Sequence, residues 1–344
     1  MRFSFIIPAF NAEDHIERCV ESVLNQTGRD FECVIVDDGS SDRTAELCDA
    51  LAKRDPRIAV LHTPNQGVIL ARKAGSAVCK GDYLLCLDSD DSLERGLLEK
   101  LDGILTENPD ADMVAFGYRT CIQGKTGETA VAAEVADAFD EGMYRGERIE
   151  LIRDNFLYDG RTGTENDGAM TYSMCTKAIR RDLFVRCIAK VPGGIRLGED
   201  MLFVLNVLNE CRAVYVSRYC GYNYYENPRS ATHNYREGDI RNGYRVLREL
   251  LNLSGGGGNR TVQAMHLMVN YFWDKYISCG CIAEDFGAFR SMIENETDRD
   301  LLAAIRDTDL PGMSGAFRFK KYLISKHALR TVRLYSVLRF RKAR

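Results

Sequence analysis

An α/β fold with a mostly parallel sheet flanked by helices, followed by a C-terminal helical region, is what this sequence predicts, and two observations carry the prediction. Over the first hundred residues, apolar runs at 3–7, 31–36, 58–61 and 83–87 alternate with amphipathic stretches around 14–24, 44–53 and 68–78. Strand signals alternating with helix signals imply right-handed crossovers, which lay successive strands parallel. From about residue 235 onward the strand signals cease and apolar residues recur at helical spacing, as at 240–251 and 262–277.

Taken in order, the early strand runs lead into short polar or turn-forming stretches. After the first comes Pro8-Ala9-Phe10-Asn11, after the second Asp37-Asp38-Gly39-Ser40, and after the fourth Asp88-Ser89-Asp90-Asp91. Ligands of open parallel sheets bind beyond the carboxyl ends of the strands, so these stretches are expected to face one crevice. Beyond residue 105 the alternation decays. A strand is expected at 113–118, then a Gly-, Thr- and Ala-rich stretch over 120–141 that reads as irregular or hairpin structure, where specificity insertions would sit. Apolar periodicity returns at 178–186 and 201–208, and a β-like run at 213–216 precedes Tyr222-Asn223-Tyr224-Tyr225. The glycines at 255–258 read as a flexible loop between helices rather than a domain linker. The expected division is a domain over 1–234, with halves at 1–105 and 106–234, and a helical region over 235–344; no internal repeat is found.

Composition narrows the function classes. The 344 residues, 45% of them hydrophobic, suffice for a large core. A formal charge of −4 and a pI near 5.9 argue against a general nucleic-acid binder. The charge is uneven, however: from 318 to 344 there are ten Lys or Arg and no acid, so the tail is a separate electrostatic object. Twelve cysteines lie scattered in mostly apolar runs, as at Cys33, Cys86 and Cys211, without metal-ligand spacing, and read as reduced core residues. Nothing near Met1-Arg2 resembles a signal peptide, and no window approaches the roughly 18 apolar residues of a membrane span. A cytoplasmic location is expected.

The chemistry concentrates in Leu87-Asp88-Ser89-Asp90-Asp91. Three carboxylates so close repel one another unless a cation is present, and their oxygens suit a hard divalent ion, Mg²⁺ or Mn²⁺, that in turn holds nucleotide phosphates. Asp91 or Ser92 also reads as the cap of a helix beginning near Leu93, a role that does not need Asp88 and Asp90. Asp37-Asp38-Gly39-Ser40-Ser41-Asp42 reads plainly as a turn, with Ser41 or Asp42 capping a helix near Thr44. A carboxylate just past a strand end can also accept the N3–H of a uracil ring, and Phe10 from the neighbouring strand end could stack on that ring.

In order and spacing, Ile6-Ile7-Pro8-Ala9-Phe10-Asn11, Ser22-Val23-Leu24-Asn25-Gln26-Thr27, Val36-Asp37-Asp38-Gly39-Ser40, Asn65-Gln66-Gly67 with Ala71-Arg72, and Leu87-Asp88-Ser89-Asp90-Asp91 resemble the family 2 glycosyltransferases of GT-A fold. Lys177-Ala178-Ile179-Arg180-Arg181-Asp182-Leu183-Phe184 and Leu197-Gly198-Glu199-Asp200-Met201-Leu202-Phe203 look like later landmarks of that family. The resemblance covers roughly residues 3–230. It implies a GT-A, Rossmann-like sheet and transfer of a sugar from a nucleotide-sugar, a UDP-sugar, to an acceptor hydroxyl with inversion. The implied acceptor is a surface polysaccharide or a lipid-linked sugar.

Carried over residue by residue, the resemblance implies that Asp38 reads the base beside Pro8, Phe10 and Asn11. Asp88 and Ser89 would hold the ribose or nearby groups, Asp90 would bind the metal on the diphosphate, and Arg72 would contact the donor. Asp200 would be the general base, because inverting displacement needs a carboxylate opposite the leaving group to take the acceptor proton. Glu199 is its neighbour in that role, and helix capping is the plainer account of either. Tyr222-x-Tyr224 followed by Arg229-Ser230-Ala231-Thr232-His233 resembles a segment that closes over the diphosphate. There Arg229 would pair with phosphate and His233 would complete the metal site.

Phe10 stands where the family often has tyrosine, and Ile69 and Lys73 where it often has a small or hydroxyl residue and an asparagine. Lys73 reads either as a phosphate contact or as an exposed helix-surface lysine. His15, His62, His266 and His327 have no constellation around them. In the tail, Lys326, Arg330, Arg333, Arg341 and Arg344 fall on one helix side. That side would lie on an anionic membrane, or the helix would pack with a solvated basic face. Two rivals remain. A nucleotidyltransferase would need a glycine-rich phosphate loop, and Pro8-Ala9-Phe10-Asn11 has no glycine. A non-catalytic nucleotide-sugar binder would not need Asp38, Asp88, Asp90 and Asp200 together.

Overall fold

The computed structural model describes residues 3–28, 30–123, 129–157, 169–226, 235–255, 259–309 and 314–341. The first part alternates as read from the sequence: β1 (Phe3–Ala9), α1 (Ile16–Leu24), β2 (Phe31–Asp37), α2 (Thr44–Arg54), β3 (Ile58–His62), α3 (Val68–Val78) and β4 (Tyr83–Cys86). Then follow β5 (Ser92–Leu93), α4 (Leu97–Glu107), β6 (Met113–Gln123), β7 (Thr129–Val135), β8 (Gly142–Arg145), α5 (Glu147–Arg153), β9 (Lys177–Arg180), α6 (Arg181–Lys190), α7 (Glu199–Glu210) and β10 (Ala213–Tyr225). The sheet order is β3-β2-β1-β4-β9-β6-β10-β5, with β7 on β6 and β8 on β10. From β3 to β4 every pairing is parallel, as is β6 with β10, while β9 runs antiparallel between β4 and β6. The α/β class with a mostly parallel sheet is therefore present.

The local causes are visible in the residues. Every residue of β1 is buried, because a parallel strand covered on both faces must be apolar throughout. In α1 the buried residues Ile16, Cys19, Val20 and Val23 follow the 3–4 spacing of one helix face. All twelve cysteines are free, and all but Cys281 are buried.

Five expectations need correction. No helix begins near Leu93: Ser92 and Leu93 pair antiparallel with Asn223 and Tyr222 of β10, so neither Asp91 nor Ser92 is a cap, and α4 starts at Leu97 behind Gly96. The apolar stretch at 178–186 is not one helix, since its first residues are claimed by the ladder of β9 and only Arg181 onward is helical. Lys73 is not a free surface lysine; its Nζ donates to the carbonyls of Val191 (2.7 Å) and Ala189 (3.4 Å) at the end of α6. Arg333 leaves the expected basic side of the tail, donating to the carbonyls of Gly280 and Ala283. The stretch 120–141 contains the hairpin strand β7, as read; at the start of α2 the N-cap residue is Arg43 rather than Ser41 or Asp42, while Asp42 Oδ1 accepts from Thr44 N–H (3.0 Å).

The described residues form two compact units. The first holds the sheet and its helices. The second holds Ile195–Gly198 and six helices: α8 (Asp239–Leu253), α9 (Asn259–Ile282), α10 (Phe286–Glu294), α11 (Arg299–Asp307), α12 (Gly315–Ser325) and α13 (Leu329–Arg341). Residues 256–258 of the glycine stretch lie outside the described residues. Among the described residues no helix is long and apolar enough to cross a membrane.

Candidate active site

The carboxyl ends of β1, β2 and β4, with the starts of α3 and α7, build the site inside the first unit. The loops after β1 and β2 are joined through Asn11, whose φ of +49° is a left-handed conformation that asparagine tolerates. Its N–H donates to Ser40 Oγ (3.0 Å) and its Oδ1 accepts from Ser41 N–H (2.8 Å). Asn11 is thus engaged in the join itself. Pro8 is buried in β1, and Phe10 stands 50% exposed at the strand end, a ring open to stacking.

Asp38 is buried, and its N–H donates to the Ala9 carbonyl (2.8 Å). Its Oδ2 accepts from Gly67 N–H (2.7 Å), and its Oδ1 accepts from Gln66 N–H (3.0 Å) and the Thr63 hydroxyl (3.3 Å). A carboxylate offers about four acceptor directions, so one on Oδ2 remains for a ligand. Gly39, at φ +73°, lets the two loops approach; a Cβ there would meet Asn65 N at 2.7 Å. Asp37 accepts from Ser40 N–H (3.1 Å) and lies 3.0 Å from His62 Nδ1, and with Asp49 it raises the pKa of that imidazole.

Arg72, in the second turn of α3, is the centre of the site and is 2% exposed. Its Nη2 donates to Asp88 Oδ1 and its Nη1 to Asp200 Oδ1, both at 2.7 Å, and Glu199 Oε1 lies 3.8 Å from Nη1. Both terminal nitrogens of Arg72, expected as a donor contact, lie on carboxylates. Burial opposes its charge, and Asp200 and Asp88 more than restore it. Burial also pushes the carboxyls of Glu199 and Asp200 above the ordinary range. Repulsion from Asp200 lifts Glu199 further, while Arg72 pulls both back. Asp200 Oδ2 accepts a second bond from Met174 N–H (3.3 Å), in the short helical turn Met174–Thr176 that precedes β9.

The carboxylates after β4 do not act as one cluster. Asp88 is 39% exposed at its side chain, and Ser89 and Asp90 are half-buried in the turn. Asp91 is buried, accepts from the Tyr222 hydroxyl and from Tyr225 N–H (2.8 Å), and is pushed up to about 8 by burial and by repulsion from Asp88 and Asp90. Burial favours the neutral form of Asp91, which would lessen the repulsion expected of three neighbouring carboxylates. Among the described residues no three ligating side chains converge on a point. The carboxylate of Asp90 is of the donor type that suits a hard ion, one that takes few protein oxygens and completes its shell with phosphate and water. Arg229 and His233 lie outside the described residues.

Sequence reasoning did not find Met174 or the Asp91–Tyr222 bond. Nor did it find Arg18, whose guanidinium lies over the Tyr225 ring at 3.8 Å and donates to the Asp90 carbonyl. None of these has a local signal, because each joins segments far apart in the chain.

Residues 4–187 match the family model described as glycosyl transferase family 2. The chain is 30% identical over 229 residues to an uncharacterized glycosyltransferase, EpsJ, of Bacillus subtilis (strain 168), covering 67% of this chain and 62% of that one. It is 39% identical over 116 residues to the glycosyltransferase GlyG of Streptococcus pneumoniae serotype 4, covering 33% of this chain and 38% of that one. In both cases the match spans less than two thirds of the relative. The fold is similar to the crystal structure of S. aureus TarS 1-349 in complex with UDP-GlcNAc, with a TM-score of 0.63, 17% identity, and coverage of 100% of this chain and 93% of that one. It is also similar to the mannosyltransferase PcManGT from Pyrobaculum calidifontis in complex with GDP-Man and Mn²⁺, with a TM-score of 0.51, 14% identity, and coverage of 98% and 87%.

Proposed function

The chain belongs to glycosyl transferase family 2, and from that premise we propose that it transfers a sugar from a UDP-sugar to an acceptor hydroxyl with inversion at the anomeric carbon. The observation that carries this reading is the fork of Arg72, which ties Asp88 on the donor side to Asp200 at the start of α7. In the reaction, the acceptor oxygen bonds to the anomeric carbon as its proton passes to Asp200. The bond from that carbon to the phosphate oxygen breaks, and the electron pair leaves with UDP. The raised pKa of Asp200 brings it nearer working pH, which makes it a better proton acceptor than an ordinary aspartate.

On the donor side, the remaining acceptor direction of Asp38 takes the uracil N3–H and Phe10 stacks on the ring. Asp88 and Ser89 take the ribose, and Asp90 takes the divalent ion. When bound, Mn²⁺ or Mg²⁺ would offset the charge developing on the leaving diphosphate. Likeness to a structure solved with UDP-GlcNAc supports a UDP-sugar, and likeness to one solved with GDP-Man and Mn²⁺ supports a divalent ion. We assign this chemistry to residues 1–234 and its setting to the inner face of the membrane, with a surface polysaccharide or lipid-linked sugar as acceptor.

A thermal-shift screen of nucleotide-sugars with Mn²⁺ tests the assignment. A donor at a hundredfold excess over Kd should stabilise the chain by about 2.7 kcal/mol. A shift with UDP-sugars, and release of UDP when acceptor is added, is the expected result. No shift with any nucleotide-sugar would overturn it.

A further inference from the structure

The helices α12 and α13 bury one face each and leave a second face that does not resemble a solvated surface. Phe317, Leu323 and Ile324 of α12 and Leu329, Val332 and Ser336 of α13 are buried. Both helices pack on α9 and touch each other, and each keeps an exposed face opposite its buried one. On those faces Phe319 is 51% exposed, Tyr322 57%, Leu334 59% and Leu338 53%, whereas the Tyr335 ring lies 5.3 Å from that of Trp273 in α9. The exposed residues follow the 3–4 spacing of exposed helix faces, 319 and 322 on one helix and 334 and 338 on the other.

The cations are sorted in the same way. Lys320 donates to Asn270 Oδ1 (3.1 Å), Lys321 to the carbonyls of Arg306 and Thr308, and Arg333 to those of Gly280 and Ala283, so these three serve the second unit's own packing. Arg318, Lys326 and Arg330 stay exposed, interleaved with the apolar side chains, although the Arg330 guanidinium lies 5.6 Å over the Phe286 ring of α10. No acid occurs anywhere in α12 or α13.

Contiguous exposed apolar surface marks an interaction site, because a solvated face would expose polar groups of both signs. Aliphatic and aromatic side chains mixed with cations alone match a lipid headgroup layer, where chains and rings enter the acyl boundary and cations meet phosphate. Tyr322 suits that boundary, with the ring in the apolar layer and the hydroxyl in water. We propose that the outward face of α12 and α13, through Phe319, Leu334 and Leu338 with Arg318, Lys326 and Arg330, docks the protein on an anionic phospholipid surface. This would hold the chain where a lipid-linked acceptor resides, and it stands whether or not Asp200 is the base.

Co-sedimentation of the full chain with phosphatidylcholine vesicles, with and without phosphatidylglycerol, tests this. Binding to the anionic vesicles should be about a hundredfold tighter at low salt and should weaken as salt screens the charges. Replacing Arg318, Lys326 and Arg330 together by Glu should remove the preference for anionic lipid. Changing Phe319, Leu334 and Leu338 together to Ser should remove binding although every cation remains. Because all six side chains are exposed, both variants should keep the wild-type circular dichroism and the wild-type release of UDP in detergent-free solution. Failure of the wild type to bind anionic vesicles at low salt would overturn the proposal. So would a solution dimer that the serine variant dissociates while vesicle binding is unchanged, since the face would then serve a second copy of the chain.

Discussion

Nη1 of Arg72 donates to Oδ1 of Asp200 at 2.7 Å, joining residues 128 positions apart in the chain. The other terminal nitrogen holds Asp88, so a single buried guanidinium sets the spacing between the two halves of the site. Lysine cannot reproduce this fork, because it offers a point charge rather than two parallel donors. Arg72→Lys should therefore lower kcat and donor affinity together. Arg72→Ala should also destabilise the fold by about 2–3 kcal/mol, less than a fully buried pair because Asp88 is 39% exposed. Urea unfolding measures the second effect, and a loss below about 0.5 kcal/mol would mean the fork is not structural.

Asp38 would carry a double load, since the carboxylate proposed to read the base also accepts from Gly67, Gln66 and Thr63. Asp38→Ala should cost about 1–3 kcal/mol of stability by leaving those donors unpaired. It should also weaken UDP binding more than binding of inorganic pyrophosphate, as calorimetry on the folded variant would show. Equal weakening of both ligands would remove Asp38 from the base pocket.

If Asp90 holds a divalent ion on the diphosphate, turnover should depend on that ion. Chelation with EDTA should abolish turnover, and Asp90→Ala should fold normally but lose the metal-dependent part of UDP binding. Full turnover in excess EDTA would contradict this.

The raised carboxyls give stability a definite pH dependence. A carboxyl whose folded pKa is raised binds more protons in the native state, so its favourable contribution is complete below the unfolded value and declines as pH rises through the folded one. For Asp91 the window runs from about 4 to about 8. Wild-type stability should fall across it, and Asp91→Asn, which keeps an acceptor for Tyr225 N–H, should flatten the fall. An unchanged slope in urea titrations at several pH values would show that Asp91 does not titrate there.

Much of the site was legible because its loops follow strand ends directly. Pro8 to Asn11, Asp37 to Ser40 and Asp88 to Asp91 each sit where a short apolar run stops, and β1, β2 and β4 are neighbours in the sheet. The partners of those residues were not legible. Asp91 meets Tyr222 across 131 positions, and the pairing of Ser92 and Leu93 with β10 replaces the helix that local signals favoured. A four-residue strand such as β9, followed at once by a helix, has too few residues to show its period of two. Lys73 reads as a surface residue until the end of α6 is placed beside it.

Asp200→Asn tests the central claim most directly, with kcat measured beside calorimetric affinity for the UDP-sugar. A general base contributes about 10²–10⁴ in rate, so kcat should fall by that order while donor affinity changes little, and Glu199→Gln should fall less. Wild-type transfer by Asp200→Asn would contradict the account, and with loss of transfer in Glu199→Gln it would move the base to Glu199.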